Sequence, residues 1–109
     1  MSKVDLSKLS YQEIEERYIK YKIPGHYKFK NAEQVKQVFG WDFRTMRGFR
    51  DLNEEDKTLA EQLICNYLNG FGLGSRHKQR PTAIKKEPRW FKVNFKDGYS
   101  YLYYDGTIG

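Results

Sequence analysis

The residues with the clearest capacity for chemistry lie in one short basic stretch, residues 76–89. It carries six basic side chains and a single carboxylate, Glu87, whereas residues 1–75 carry 12 basic and 11 acidic side chains. Most of the net charge of +6 therefore comes from this stretch. A concentrated basic segment attracts a polyanion, so nucleic acid is the expected partner, and a solvated loop without a partner is the alternative. The basic residues are Arg76, Lys78, Arg80, Lys85, Lys86 and Arg89.

The stretch that follows, residues 90–104, is rich in aromatic rings. Apolar and polar residues alternate with a period of two on both sides of Asp97-Gly98, which is the pattern of a β-hairpin. If the turn consists of these two residues, Lys96 pairs with Tyr99 and Phe95 pairs with Ser100. The turn therefore predicts which side chains share each face of the hairpin.

The two faces of this hairpin differ in chemistry. One is apolar and is the expected core face; it carries Phe91, Val93, Phe95, Leu102 and Tyr104. The other is both aromatic and basic; it carries Trp90, Lys92, Asn94, Lys96, Tyr99, Tyr101 and Tyr103. Bases stack on exposed rings and lysines pair with phosphates, so this second face predicts contact with nucleic acid. Stabilising cross-strand pairs and contact with a protein are the alternatives.

The stretch AEQVKQVFGWDFRTMRGFRDL, which begins at Ala32, resembles the helix-turn-helix family over residues 32–51. Gly40 stands at the turn of the unit. The sequence departs from the family at Lys36, where a small residue is preferred, and at Gly48, inside the second helix. An ordinary helical hairpin with an aromatic core is the alternative interpretation. The positions that the family keeps apolar hold Val35, Phe39, Trp41, Met46 and Phe49.

The resemblance implies which residues of this unit would contact DNA. Arg50 would reach a phosphate, and arginine in the second helix can bind guanine with two hydrogen bonds. A winged helix-turn-helix would use the C-terminal hairpin as its wing. Regulators of this family are often dimers, so a homodimer belongs to this expectation. The side chains that would face the major groove are Asp42, Phe43, Arg44 and Arg47.

Local signals indicate the elements that must position these residues. Ser10 and Glu13 form a capping box before a first helix, and Asn31 and Asn53 can cap two others. Residues 41–50 are predicted as a further helix from their apolar spacing. We expect an α+β fold, with three to four N-terminal helices followed by a C-terminal antiparallel β-hairpin. We expect one domain over residues 1–109, with a helical part at 1–70, a mobile basic connector loop at 71–89 and the hairpin at 90–109.

Side chains for common enzyme chemistry are sparse. The two histidines, His26 and His77, and the one cysteine, Cys65, exclude the usual zinc-binding spacings of these residues. Cys65 lies among apolar helix positions and is assigned to the core rather than to a nucleophile. The glycine-rich residues 70–74 lack the lysine and hydroxyl residue that complete a P-loop. We therefore expect no enzymatic activity, no cofactor and no metal.

The sequence also predicts the compartment. No apolar run approaches the length of a membrane span, and the N-terminal residues lack the apolar core of a secretory signal. One cysteine excludes an internal disulfide. We therefore expect a cytoplasmic protein that does not act in a membrane.

Two functions from different classes remain open. The first is a small non-enzymatic nucleic-acid-binding protein, a DNA-binding regulator that uses the basic loop and the aromatic hairpin, with DNA favoured over RNA. The second rests on size and on a Lys- and Tyr-rich composition, in which the chain resembles small accessory proteins of phages and mobile elements. Some of these, anti-CRISPR proteins among them, bind and block a host nucleic-acid-processing enzyme. A regulator would bind bare nucleic acid, whereas an inhibitor would need its protein target.

Overall fold

The computed structural model describes residues 10–23, 25, 27–96 and 98–108 and has an α+β fold. Three helices precede a C-terminal antiparallel sheet of three strands in the order β1-β2-β3, and a one-turn helix lies between the two parts. The helices are α1 (Tyr11–Lys20), α2 (Ala32–Phe39), α3 (Glu54–Asn69) and the one-turn α4 (Leu73–Arg76). The strands are β1 (Pro81–Lys86), β2 (Trp90–Phe95) and β3 (Gly98–Tyr103).

The helices begin where their capping residues predicted. The Ser10 hydroxyl accepts a hydrogen bond from the Glu13 backbone, and the Glu13 carboxylate accepts one in return from the Ser10 backbone. Asn31 caps α2, and Asn53 caps α3 through a 2.8 Å bond from the Asp56 backbone N–H. Each cap satisfies a backbone donor that the helix itself leaves unpaired. These predictions are confirmed.

Residues 41–50 do not form the predicted helix. Two single 3-10 turns, Phe43–Thr45 and Phe49–Asp51, take its place. Gly48 separates them with a φ of +90°, a left-handed conformation that interrupts any right-handed helix. The apolar spacing that suggested a helix belongs instead to core packing, since four residues of the segment are buried: Trp41, Phe43, Met46 and Phe49.

The segment around Arg47 pairs with the edge of β1. The Arg47 backbone N–H donates to the Thr82 carbonyl at 3.3 Å, and the Arg47 carbonyl accepts from the Ile84 N–H at 2.8 Å. This parallel bridge places Arg47 beside Ala83. A Cβ atom on Gly48 would lie 2.2 Å from the Ile84 carbonyl oxygen, so the approach of the two backbones requires glycine.

Much of the basic connector, predicted as a loop over 71–89, forms a helix and a strand instead. Residues 73–76 form α4, and β1 pairs with β2 along its length, with Ile84 opposite Val93. Pro81 occupies the first position of the strand, where its missing N–H is tolerated, and a bulge follows between Pro81 and Ala83. The C-terminal hairpin is thus part of a three-stranded sheet.

The hairpin register differs from the prediction by two residues. Phe95 pairs with Gly98 rather than with Ser100, and Lys92 pairs with Tyr101. Side chains alternate with a period of two, so a shift of two leaves every side chain on its predicted face. The predicted turn residue Asp97 lies outside the described residues. The inner face packs on the helices and is at most 6% exposed at Ile84, Phe91, Val93 and Leu102.

The junction at Gly48 makes a prediction about stability. Gly48→Ala should lower the free energy of unfolding by at least about 2 kcal/mol, because the new Cβ meets the Ile84 carbonyl and the φ is unfavourable. Urea unfolding followed by tryptophan fluorescence measures this change. Gly72→Ala is the matched control, since its φ is −65° and a Cβ there meets nothing within 4 Å. Equal unfolding midpoints for the two variants would contradict the proposed junction.

Candidate nucleic-acid interface

The outer face is the side of the sheet that faces away from the core. The β2–β3 register sets Trp90 beside Tyr103, Lys92 beside Tyr101 and Asn94 beside Tyr99. The β1–β2 register adds Lys85 beside Lys92 and Ala83 beside Asn94. Just after β1, the Glu87 N–H donates to the Trp90 carbonyl at 2.9 Å. The outer face therefore comprises Ala83, Lys85, Glu87, Trp90, Lys92, Asn94, Tyr99, Tyr101 and Tyr103.

Four rings form a continuous ladder across this face. The ring centroids are 5.4 Å apart for Tyr99 and Tyr101, 5.3 Å for Tyr101 and Trp90, and 5.5 Å for Trp90 and Tyr103. All three pairs are tilted rather than stacked face to face. Tyr99 is 57% exposed, and the other rings are partly exposed. The predicted aromatic residues thus share one surface, with ring area open to a ligand.

Three cations lie on the same face as this ring ladder. The Lys92 ammonium lies 4.5 Å from the centroid of the Tyr99 ring. Lys85 lies directly across from Lys92, and like charges in that position repel each other. The bridge of exposed Arg47 to Ala83 places Arg47 at the far edge of this face, with Ala83 and Asn94 between it and Tyr99. The outer face therefore carries three cations, of which Lys92 contacts a ring of the ladder.

Negative charge on the outer face is limited. Glu87 contributes the one carboxylate among the described residues of this face, and its Oε1 lies 3.5 Å from the Lys85 ammonium. Hydrogen bonding with Tyr99 raises the pKa of the Tyr101 hydroxyl above its ordinary value, so this hydroxyl stays neutral at physiological pH. The Tyr101 hydroxyl therefore adds no charge that would repel a phosphate.

Three of the predicted contact residues, Arg44, Lys85 and Lys86, are engaged in ion pairs within the protein. The Arg44 guanidinium binds both oxygens of Asp42, at 2.8 and 2.7 Å, and also reaches Glu33 at 3.2 Å. These bonds hold the pKa of the Asp42 carboxyl below its usual value. Lys86 lies 2.6 Å from an Asp56 oxygen on α3. A nucleic-acid phosphate would compete with these carboxylates for the Arg44 and Lys86 charges, and the assignment of both residues as nucleic-acid contacts stays a prediction.

Arg76 is buried, although its place in the basic stretch predicted a surface contact. It is 3% exposed and donates to the carbonyls of Phe71 at 2.8 Å, Asn69 at 3.2 Å and Tyr27. The ring of Tyr18 lies 5.9 Å from the guanidinium carbon. This guanidinium thus joins α1, the segment before α2 and the end of α3.

The position of Arg76 has an electrostatic reason. Helix α3 has no basic residue in its last turn, where the helix dipole and unpaired carbonyls attract a cation. Arg76 and Lys28 supply this charge from outside the helix, and both donate to the Asn69 carbonyl, Lys28 at 2.9 Å. The Asn69 side chain in turn makes two hydrogen bonds with the Phe29 backbone. Burial raises the pKa of the neighbouring Tyr18 hydroxyl to about 12.

The remaining predicted cations lie on the surface around the sheet. Arg50 lies in the second 3-10 turn and is exposed. Lys78 and Arg80 precede β1 and are exposed, and Arg89 is exposed between β1 and β2. The structure therefore brings Lys85, Lys92 and the four rings together on one face.

Sequence reasoning missed two features of this site. Strand β1 was not predicted. Apart from Pro81, Ile84 is its one buried side chain, so the strand shows no alternation of apolar and polar residues long enough to indicate it. Arg47 was assigned to a recognition helix, whereas a long-range backbone bridge to β1 brings it to the sheet. A signal for β1 was available in Pro81 and β-branched Thr82 ahead of Ile84, which suit the start of a strand.

The other candidate chemistry lies elsewhere. Cys65 is 1% exposed in the core, and burial raises the pKa of its thiol to about 12, so it stays protonated. His77 is buried, and its ring lies 6.3 Å from that of Phe39, whereas His26 is outside the described residues. In the part of the chain that the structure describes, histidine, cysteine and carboxylates form no group able to hold a metal. Within the same part, no helix combines the length and apolar character that crossing a bilayer requires.

Comparisons of the chain with protein families, with curated proteins and with solved structures found no match. The case for a function therefore depends on the chemistry and placement of the residues described above. The outer face is the surface on which that chemistry is most concentrated.

The burial of Arg76 makes a second stability prediction. Arg76→Met should lower the free energy of unfolding by about 2–4 kcal/mol, because the carbonyls of Phe71 and Tyr27 would lose their charged donor and that of Asn69 would keep Lys28 alone. Exposed Arg80→Met is the control and should change stability by less than about 0.5 kcal/mol. Urea denaturation measures both. If Arg76→Met unfolds at the same urea concentration as Arg80→Met, Arg76 does not hold these segments together.

Proposed function

We propose that this protein is a small non-enzymatic protein that binds single-stranded nucleic acid on the outer face of its sheet. The observation that carries the proposal is the ladder of four rings, Trp90, Tyr99, Tyr101 and Tyr103, which shares its face with Lys85, Lys92 and Arg47. Bases stack on such rings and gain about 1–3 kcal/mol per base. The cations supply the contacts to the phosphates.

The shape of the surface favours a single strand over a duplex. In a duplex the faces of the bases are stacked on one another, whereas unpaired bases can turn onto protein rings. Reading of the major groove uses an inserted helix or ribbon, and residues 41–50 lack the helix that the helix-turn-helix resemblance required. The proposal is therefore a single-strand binder, with DNA and RNA as separate arms of its test.

A second candidate function is inhibition of a nucleic-acid-processing protein, and the edge of β3 favours it. The pairing of Leu102 with Ile108 and the bond from the Tyr103 N–H to the Thr107 carbonyl cover one end of this edge. The sequence of β3, GYSYLY, contains no charge or proline of the kind that keeps sheet edges from pairing. A strand of a partner protein could add to the remaining edge.

Fluorescence anisotropy with labelled single-stranded DNA, single-stranded RNA and duplex DNA tests the first proposal. Tyr99→Ala should weaken single-strand binding by about 5- to 150-fold, the loss expected for one stacked base. Tyr11→Ala is the matched control, because Tyr11 is also 57% exposed but lies on α1. Its affinity should equal that of the wild type.

A salt series tests the electrostatic part of the same proposal. For Lys85→Gln/Lys92→Gln, the slope of log affinity against log salt should decrease by about 0.7 for each phosphate that the protein no longer neutralises. Tighter binding to duplex than to single strands, or equal affinities of Tyr99→Ala and Tyr11→Ala, would contradict the outer face as the binding surface. No binding to any probe at low salt would instead favour the protein-partner function.

A further inference from the structure

We infer that a groove beside the outer face receives the next nucleotide of the bound strand, an inference that rests on the proposed function. The groove has a volume of about 190 Å³ and lies at the end of the sheet where β2 ends and β3 begins. Tyr99 belongs both to the ring ladder and to the lining of this groove. Phe95 and Ser100 of the lining contact Tyr67 of α3 on the other side of the sheet, so a strand stacked on the ladder would turn round the edge of β3 beside Tyr99 to enter the groove.

The rim of the groove is basic. Lys78 and Lys96 line it and are both exposed, and they come from separate segments before β1 and after β2. Among the described residues of the lining, none carries a carboxylate that would neutralise these two charges. Two ammonium groups from separate segments at the rim of one groove suit a backbone phosphate.

The wall of the groove suits a base. Phe95 stacks on Tyr67 from α3, with ring centroids 4.8 Å apart and an angle of 20° between the ring planes. The Ser100 hydroxyl donates to the Tyr67 hydroxyl at 3.5 Å, and the Gln79 side chain completes a polar part of the lining. Aromatic edges, an amide and a hydroxyl together can contact a base while the lysines hold its phosphate.

Lys78 and Lys96 are the charged residues of the described lining. They give a strand that lies along the ring ladder a basic surface beyond Tyr99.

Binding of oligothymidylates of increasing length, measured by fluorescence anisotropy, tests this inference. The wild type should gain affinity in a step once the strand is long enough to cover the ladder and enter the groove. Lys78→Gln/Lys96→Gln should lose that step and bind the longer strands roughly 3- to 30-fold more weakly, yet bind the shortest strand with nearly wild-type affinity. Lys20→Gln/Lys36→Gln removes the same charge from α1 and α2 and is the control.

The outcomes separate the inference from the proposed function. In one outcome the wild type binds, Tyr99→Ala weakens binding and the Lys78/Lys96 variant keeps the step in affinity. This outcome overturns the inference that the groove binds a nucleotide and supports the proposal that the outer face binds the strand. A loss shared equally by the Lys20/Lys36 control overturns the groove as well, because net charge alone then accounts for the effect. If the wild type binds no oligothymidylate of any length, the proposed function fails and the groove with it.

Discussion

Burial of one face of the sheet against the helices is the constraint on which the rest of the structure depends. Ile84, Phe91 and Val93 are at most 6% exposed, and alternation along the strands then turns their neighbours outward. The inner face is already filled by these apolar side chains. The rings of Trp90 and Tyr101 therefore pack against each other on the solvent side of the sheet. A ladder of aromatic rings outside a filled core is surface that a ligand can use.

The basic residues differ in their partners within the protein. Arg76, Arg44 and Lys86 compensate carbonyls or carboxylates of the protein itself and hold its segments together. Lys85 and Lys92 face each other on the outer face, where Glu87 offsets part of their repulsion. The net charge of the basic stretch is therefore larger than the charge available to a partner, which includes exposed Lys78, Arg80 and Arg89 as well as the outer face.

Local signals predicted the local structure well. The caps at Ser10, Asn31 and Asn53 define where the helices start, and the alternation in residues 90–104 assigned each ring to its face despite a register error of two residues. The failures involve long-range contacts. The backbone of Arg47 pairs with β1, and this pairing requires glycine at position 48 and excludes a helix there. The carbonyls at the end of α3 bind the Arg76 guanidinium and so account for its burial. No spacing within the sequence reports a partner so distant along the chain.

The most direct test is an NMR titration of the protein, labelled with nitrogen-15, with single-stranded oligothymidylate. The account predicts that the largest chemical-shift changes fall on the Trp90 indole N–H and on the backbone amides of Lys92, Tyr99 and Tyr101. Amides of α1 and α2 should change little. Changes concentrated on residues 41–50 or on the helices, with the outer face unaffected, would contradict the claim that the sheet is the binding surface.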